Sequence, residues 1–154
     1  MPKLKCSARY FYDGLEVGEI PDAVIKGKVT IPIINYIIDL LNKAYRFTGR
    51  DLDCKLCRDE VGNFELHYNY VPCCIGNSMV GTSDKFGVYW YLRNNMHEAV
   101  SDITNYLMLD TYKGTGLERE LISFKNKFLF LVAVLDMPDY DYEKAMSKVV
   151  KCNK

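Results

Sequence analysis

The sequence predicts an α+β fold, with a mostly antiparallel sheet from the N-terminal half, one early helix, and three C-terminal helices packed against the sheet. Three observations carry this. Apolar residues alternate at period two near the N-terminus and again around residue 66, as half-buried strands do. After Asn94 the period changes to three and four, the helical spacing. Strands grouped ahead of helices favour antiparallel pairing over βαβ crossovers. The chain has 154 residues, 49% apolar and 26% charged, enough for one core and too little for two. We therefore expect a single domain over 1–154, with a candidate subdomain seam near residue 94.

The elements follow in order. Leu4, Cys6, Ala8, Tyr10 and Tyr12 share one strand face, and Lys3, Lys5, Ser7, Arg9 and Phe11 share the other. Asp13-Gly14 is a hairpin turn, since both residues accept positive φ at low cost, and 15–20 returns as a second strand. Thr30-Ile31-Pro32 opens the first helix, where proline's missing N–H is harmless. Ile33, Ile34, Ile37, Ile38, Leu41, Ala44 and Tyr45 form its apolar face, Asn35, Asp39, Asn42 and Arg46 its wet face, and Gly49 its stop. Strands over 52–58 and 64–71 flank Val61-Gly62-Asn63, and Pro72 ends the second. Phe86 to Arg93 reads as a further strand. Asn95 with Glu98 opens a helix through Met96, Ala99, Val100, Ile103 and Leu107. Thr115 with Glu118 forms a capping box for a long helix to about Met137. Pro138 stops that helix, and Asp139 caps a last one through Tyr142, Ala145, Met146, Val149 and Val150.

Charge limits the function classes. Twenty basic residues balance twenty acidic ones, whereas proteins that hold nucleic acid through phosphates usually carry a basic excess. The longest apolar run, 128–135, is far short of the ~20 residues a membrane span needs. The opening residues Met1 to Cys6 have no apolar stretch behind their charges, so no secretory signal is read. The expected compartment is reducing and cytoplasmic, with the thiols free or metal-bound.

Six cysteines, at 6, 54, 57, 73, 74 and 152, offer the sharpest motif. Cys54-Lys55-Leu56-Cys57 precedes Cys73-Cys74 by a zinc-like interval, and Cys54, Cys57, Cys73 and His67 together would supply four ligands. On a regular strand, however, Cys54 and Cys57 face opposite ways, and only a knuckle turn would bring both to one ion. The plainer reading is buried thiols acting as small apolar side chains. A catalytic thiol would need an activating partner, and Cys73 beside His67 is the one arrangement on offer. Lys113-Gly114-Thr115-Gly116 precedes a helix start but lacks the Walker spacing, and a short turn with a capping threonine accounts for it. Asp136, Asp139, Asp141 and Glu143 lack EF-hand spacing.

Twelve tyrosines are about two to three times an average share. Tyr10/Tyr12, Tyr68/Tyr70 and Tyr89/Tyr91 are i, i+2 pairs, and on a strand each pair points to one side. Phe86, Val88, Trp90 and Leu92 would form the core face of their strand, leaving Tyr89 and Tyr91 with Arg93 on a binding face. Tyr10 and Tyr12 belong either to that surface or, the plainer reading, to the core, as do Tyr68 and Tyr70. Tyrosine suits interfaces because it gives large contact area at low entropy cost. The leading expectation is a non-enzymatic inhibitor or adaptor that binds another protein through an aromatic surface, a profile shared by small accessory proteins of viruses and phages. Two alternatives stand beside it. One is a zinc-stabilised module that touches single-stranded nucleic acid; the other is a cysteine-dependent enzyme.

Overall fold

The computed structural model describes residues 8–21, 24, 29–49, 53–58, 64–69, 71–73, 85–135 and 147–152. The fold is α+β, built from two small antiparallel sheets and three long helices among the described residues. The chain divides into two compact units. One joins Met1–Lys28 to Ile103–Lys154, and the other is Val29–Asp102. The divisions fall at 28/29 and 102/103, while residue 94, the expected seam, lies inside a continuous helix.

The first unit holds a sheet of strand order β2-β1-β6, from β1 (Ala8–Tyr12), β2 (Leu15–Ile20) and β6 (Val149–Cys152). Asp13 and Gly14 have φ of 50° and 81°, the positive pair that a two-residue turn of type I′ demands. The register shifts between Tyr10 and Phe11: Tyr10 pairs with Gly18 and Phe11 with Glu16, so Val17 is an extra residue. This bulge explains a departure from alternation. Val17 and Ile20 are three apart and would face opposite ways on a regular strand, yet both are fully buried. Gly18 has φ +85°, which makes the inserted residue possible at little strain. The hairpin tip is tied to the strand that follows it in space, since Asp13 N–H donates to the Lys148 carbonyl at 2.9 Å.

Helix α3 (Gly116–Leu135) packs on this sheet. Thr115 Oγ1 accepts from Glu118 N–H at 3.3 Å, and Glu118 Oε1 accepts from Gly114 N–H at 3.3 Å. The capping box thus forms, one residue wider on its return leg than the ideal. Leu121, Phe124, Phe128, Phe130, Leu131, Val134 and Leu135 are buried, and the ring of Phe130 meets Tyr12 edge-on at 5.5 Å.

The second unit holds α1 (Ile31–Phe47) and a sheet of order β3-β4-β5, from β3 (Cys54–Arg58), β4 (Phe64–Tyr68) and β5 (Val71–Cys73). Thr30 caps α1, its Oγ1 accepting from Ile33 N–H at 3.4 Å, and Gly49 follows the end at φ +74°. Asn42, expected on the wet face, is half-buried and does structural work. Its Nδ2 donates to the Cys54 carbonyl at 2.9 Å, and its Oδ1 accepts from Cys54 N–H at 2.8 Å. The amide imitates a neighbouring strand and pins β3 to α1. Pro72 lies within β5 rather than ending β4, which an edge position allows because its missing N–H breaks no ladder bond.

Two expected elements are corrected. Residues 86–93 are not a strand but the start of α2 (Lys85–Leu107). Val88, Leu92, Met96, Ala99 and Ile103 are all buried at spacings of four, four, three and four, so the helical period begins two turns before Asn95. The dense aromatics of 86–93 satisfied both periods, and the longer one prevailed. Val149 and Val150, expected at the end of a last helix, lie in β6, paired antiparallel to β1 with Tyr12 opposite Val149 and Phe11 opposite Val150. The rest of that expected helix, 139–146, lies outside the described residues.

Candidate functional site

The expected tyrosine surface rests on strand geometry that residues 89–93 do not adopt. On a helix, neighbours two apart diverge by about 200° around the axis. Tyr89 is 2% exposed, and Tyr91 and Arg93 are half-buried. Tyr10 is buried, and Tyr12 is half-buried against Phe130. The tyrosines whose exposure is described (10, 12, 36, 45, 89, 91, 106 and 112) are all buried or half-buried. Tyr10, Tyr45 and Tyr89 are buried, and the other five are half-buried.

The expected metal ligands are held apart by a regular ladder. Cys54 pairs with Tyr68, Lys55 with His67, Leu56 with Leu66 and Cys57 with Glu65, with no register shift. Cys54 thus lies on one face and Cys57 on the other, and the knuckle turn that zinc would require is not formed. Cys54 is buried and Cys57 half-buried, both as free thiols. Cys73 pairs with Leu66 on the far side of β4, two strands and about 9–10 Å from β3. Among the described residues no group of three His, Cys, Asp or Glu side chains converges. The Gly114 turn has its own anion, because Glu118 already accepts from that backbone N–H. Residues 136–146, with the acidic cluster, lie outside the described residues.

The structure instead assembles a cleft that sequence spacing did not single out. It has a volume of about 270 Å³ and lies in the first unit, between the hairpin and α3. The hairpin contributes Arg9, Glu16 and Gly18, and α3 contributes Arg119, Ile122, Ser123 and Asn126. The four helical residues recur at i, i+3, i+4 and i+7, so one face of α3 presents all of them. Arg9 donates to Glu16 Oε1 at 2.8 Å, and both side chains are more than half exposed. Asn126 Nδ2 donates to the Glu16 carbonyl at 3.0 Å, so α3 covers part of the β2 edge and satisfies one outward-facing backbone group. The side chains of Arg119 and Ser123 make no hydrogen bond or ion pair to another described residue.

Two guanidinium groups, an amide and a hydroxyl converge beside the aliphatic side chain of Ile122, which is 41% exposed. The carboxylate in the lining, Glu16, is engaged by Arg9. A second, more open hollow of about 240 Å³ lies on α1 beside Lys43, Arg46 and Phe47. These three are side chains of a single helical turn.

No protein-family model matches the chain, and no curated protein or solved structure is significantly similar to it. No helix among the described residues is long and apolar enough to cross a membrane.

Proposed function

We propose that this protein is a non-enzymatic protein-binding module, an inhibitor or adaptor, and that the cleft between the hairpin and α3 is its contact face. The observation that carries this is the convergence of Arg119, Ser123 and Asn126 beside exposed Ile122 on one face of α3. Leu129, seven residues beyond Ile122, is also exposed, which extends the apolar stripe along the helix. Protein interfaces combine an apolar centre with a polar rim, and arginine is enriched among their strongest contacts. The contact chemistry in this reading is arginine with aliphatic groups, in place of the tyrosine surface expected from the sequence. The balance of twenty basic and twenty acidic residues favours a protein partner over nucleic acid. A cytoplasmic setting suits Cys54 and Cys57, which are thiols.

The test is site-specific photo-crosslinking in the source cell, with a photoreactive phenylalanine at 122, at 129, and at exposed position 98 in the other unit. A discrete protein adduct should form from 122 and 129 but not from 98, and Ser123→Trp, which fills the cleft, should abolish it. Absence of any adduct, or the same adducts from all three positions, overturns the proposal.

A further inference from the structure

We infer that the cleft accepts one aspartate or glutamate side chain, carried by the partner next to an aliphatic residue. This rests on the protein-binding reading and names the chemistry of that contact. The charge count comes first. Of the charged side chains that line the cleft, Arg9 and Glu16 pair with each other, and Arg119 brings a further positive charge. Arg9 is already bonded to Glu16, whereas Arg119 has no acidic partner among the described residues. Arg119 is therefore the docking cation, and its planar fork matches a carboxylate in bidentate fashion. The Ser123 hydroxyl, one helical turn on, is placed to donate to the same group.

Size and edge chemistry narrow the occupant further. At about 270 Å³ the cleft has room for a carboxylate side chain and the aliphatic residue beside it. Strand addition to β2 is opposed, because Asn126 already occupies the Glu16 carbonyl. Glu16 also sets selectivity. A dianionic phosphate would leave a net negative charge next to the Glu16 carboxylate, whereas a monoanionic carboxylate balances the site. Ile122, exposed at the rim, receives the neighbouring aliphatic side chain.

The experiment uses the purified full chain and fluorescence anisotropy with three fluorescein-labelled peptides. Each has two leucines flanking one variable residue: glutamate, glutamine or phosphoserine. The glutamate peptide should bind about tenfold tighter than the glutamine peptide, the advantage expected of one charge-assisted bidentate contact. Arg119→Ala should erase that advantage with an unchanged circular dichroism melt, and Glu16→Gln should tighten glutamate binding. Equal binding of the glutamate and glutamine peptides, tightest binding of the phosphoserine peptide, or an undiminished advantage in Arg119→Ala each overturns the inference. If the position-122 adduct persists while the peptides show no carboxylate preference, the ligand chemistry falls and the binding module stands. If the adduct is absent as well, both fall.

Discussion

Removing the Asn42 amide gives the most direct test of how the second unit is held together. The side chain makes two hydrogen bonds to the backbone of Cys54, one as donor at 2.9 Å and one as acceptor at 2.8 Å. Cys54 is 2% exposed, so in Asn42→Ala its N–H and C=O lose these partners in a dry environment. An unsatisfied buried polar group costs about 1–3 kcal/mol. Asn42 itself is half-buried, so water can enter part of the vacated space, and the expected loss for both groups is about 2–4 kcal/mol. For a chain of this length that lowers the melting temperature by roughly 5–15 °C. Urea unfolding gives the total, and amide exchange locates it. Because the chain comprises two units, exchange should quicken in β3 and β4 while β1 and β2 keep their protection. Asn42→Leu, which restores volume without hydrogen bonds, should recover little. A loss below about 0.5 kcal/mol, the range of an ordinary surface substitution, or equal quickening in both units would refute the pinning role.

Four further outcomes are expected. Gly18→Ala should cost about 1–2 kcal/mol through backbone strain alone, because φ is +85° while the nearest atom to an added Cβ is Lys127 Cε at 3.8 Å. Gly18→Asn should recover part of that loss in a thermal melt, and an unaffected alanine variant would contradict the bulge geometry. Thr115→Ala removes the α3 cap and should destabilise by about 1 kcal/mol in urea; a neutral result would show the cap to be dispensable. Iodoacetamide labelling followed by site-resolved mass spectrometry should modify half-buried Cys57 well before buried Cys54, and the reverse order would contradict their assigned faces. Chelation by EDTA should leave the melting temperature unchanged, because the regular β3–β4 ladder separates Cys54 from Cys57. A fall of several degrees would point to a metal.

The features legible in the sequence were those whose chemistry is local. Asp13-Gly14, the Thr30 cap with its Gly49 stop, and the Thr115–Glu118 box all act within a few residues, and all form. The elements misread were those decided at a distance. Residues 86–93 fit two periods, and only the core contacts of Val88 and Leu92, continued by Met96, select the helix. Val149 and Val150 suit either a helix or a strand, and pairing with Tyr12 and Phe11, far away in sequence, selects the strand. Asn42 has an ordinary surface residue's spacing, and its partner is backbone, which no side-chain pattern advertises. The cleft was hidden for the same reason, since Arg9, Glu16 and Gly18 come from the hairpin and the rest from a helix a hundred residues on. One signal was available. Arg119, Ser123 and Asn126 recur at helical spacing in the charged first half of α3, ahead of its apolar second half, and polar residues sharing one helical face mark a surface turned away from the core.

Because β1 is flanked by β2 on one side and β6 on the other, the first unit is the last to be finished on the ribosome. Val29–Asp102 is complete in the nascent chain while the hairpin still lacks both its helical cover and its third strand. At about 5–20 residues per second, translating from the hairpin to Cys152 takes roughly 7–26 s. Throughout that interval the side of β1 later occupied by β6 is an open template. A chaperone, or the same hairpin on a neighbouring polysome chain, would meet it there first, so slowing translation after Asp102 should raise misassembly of this unit and spare the other.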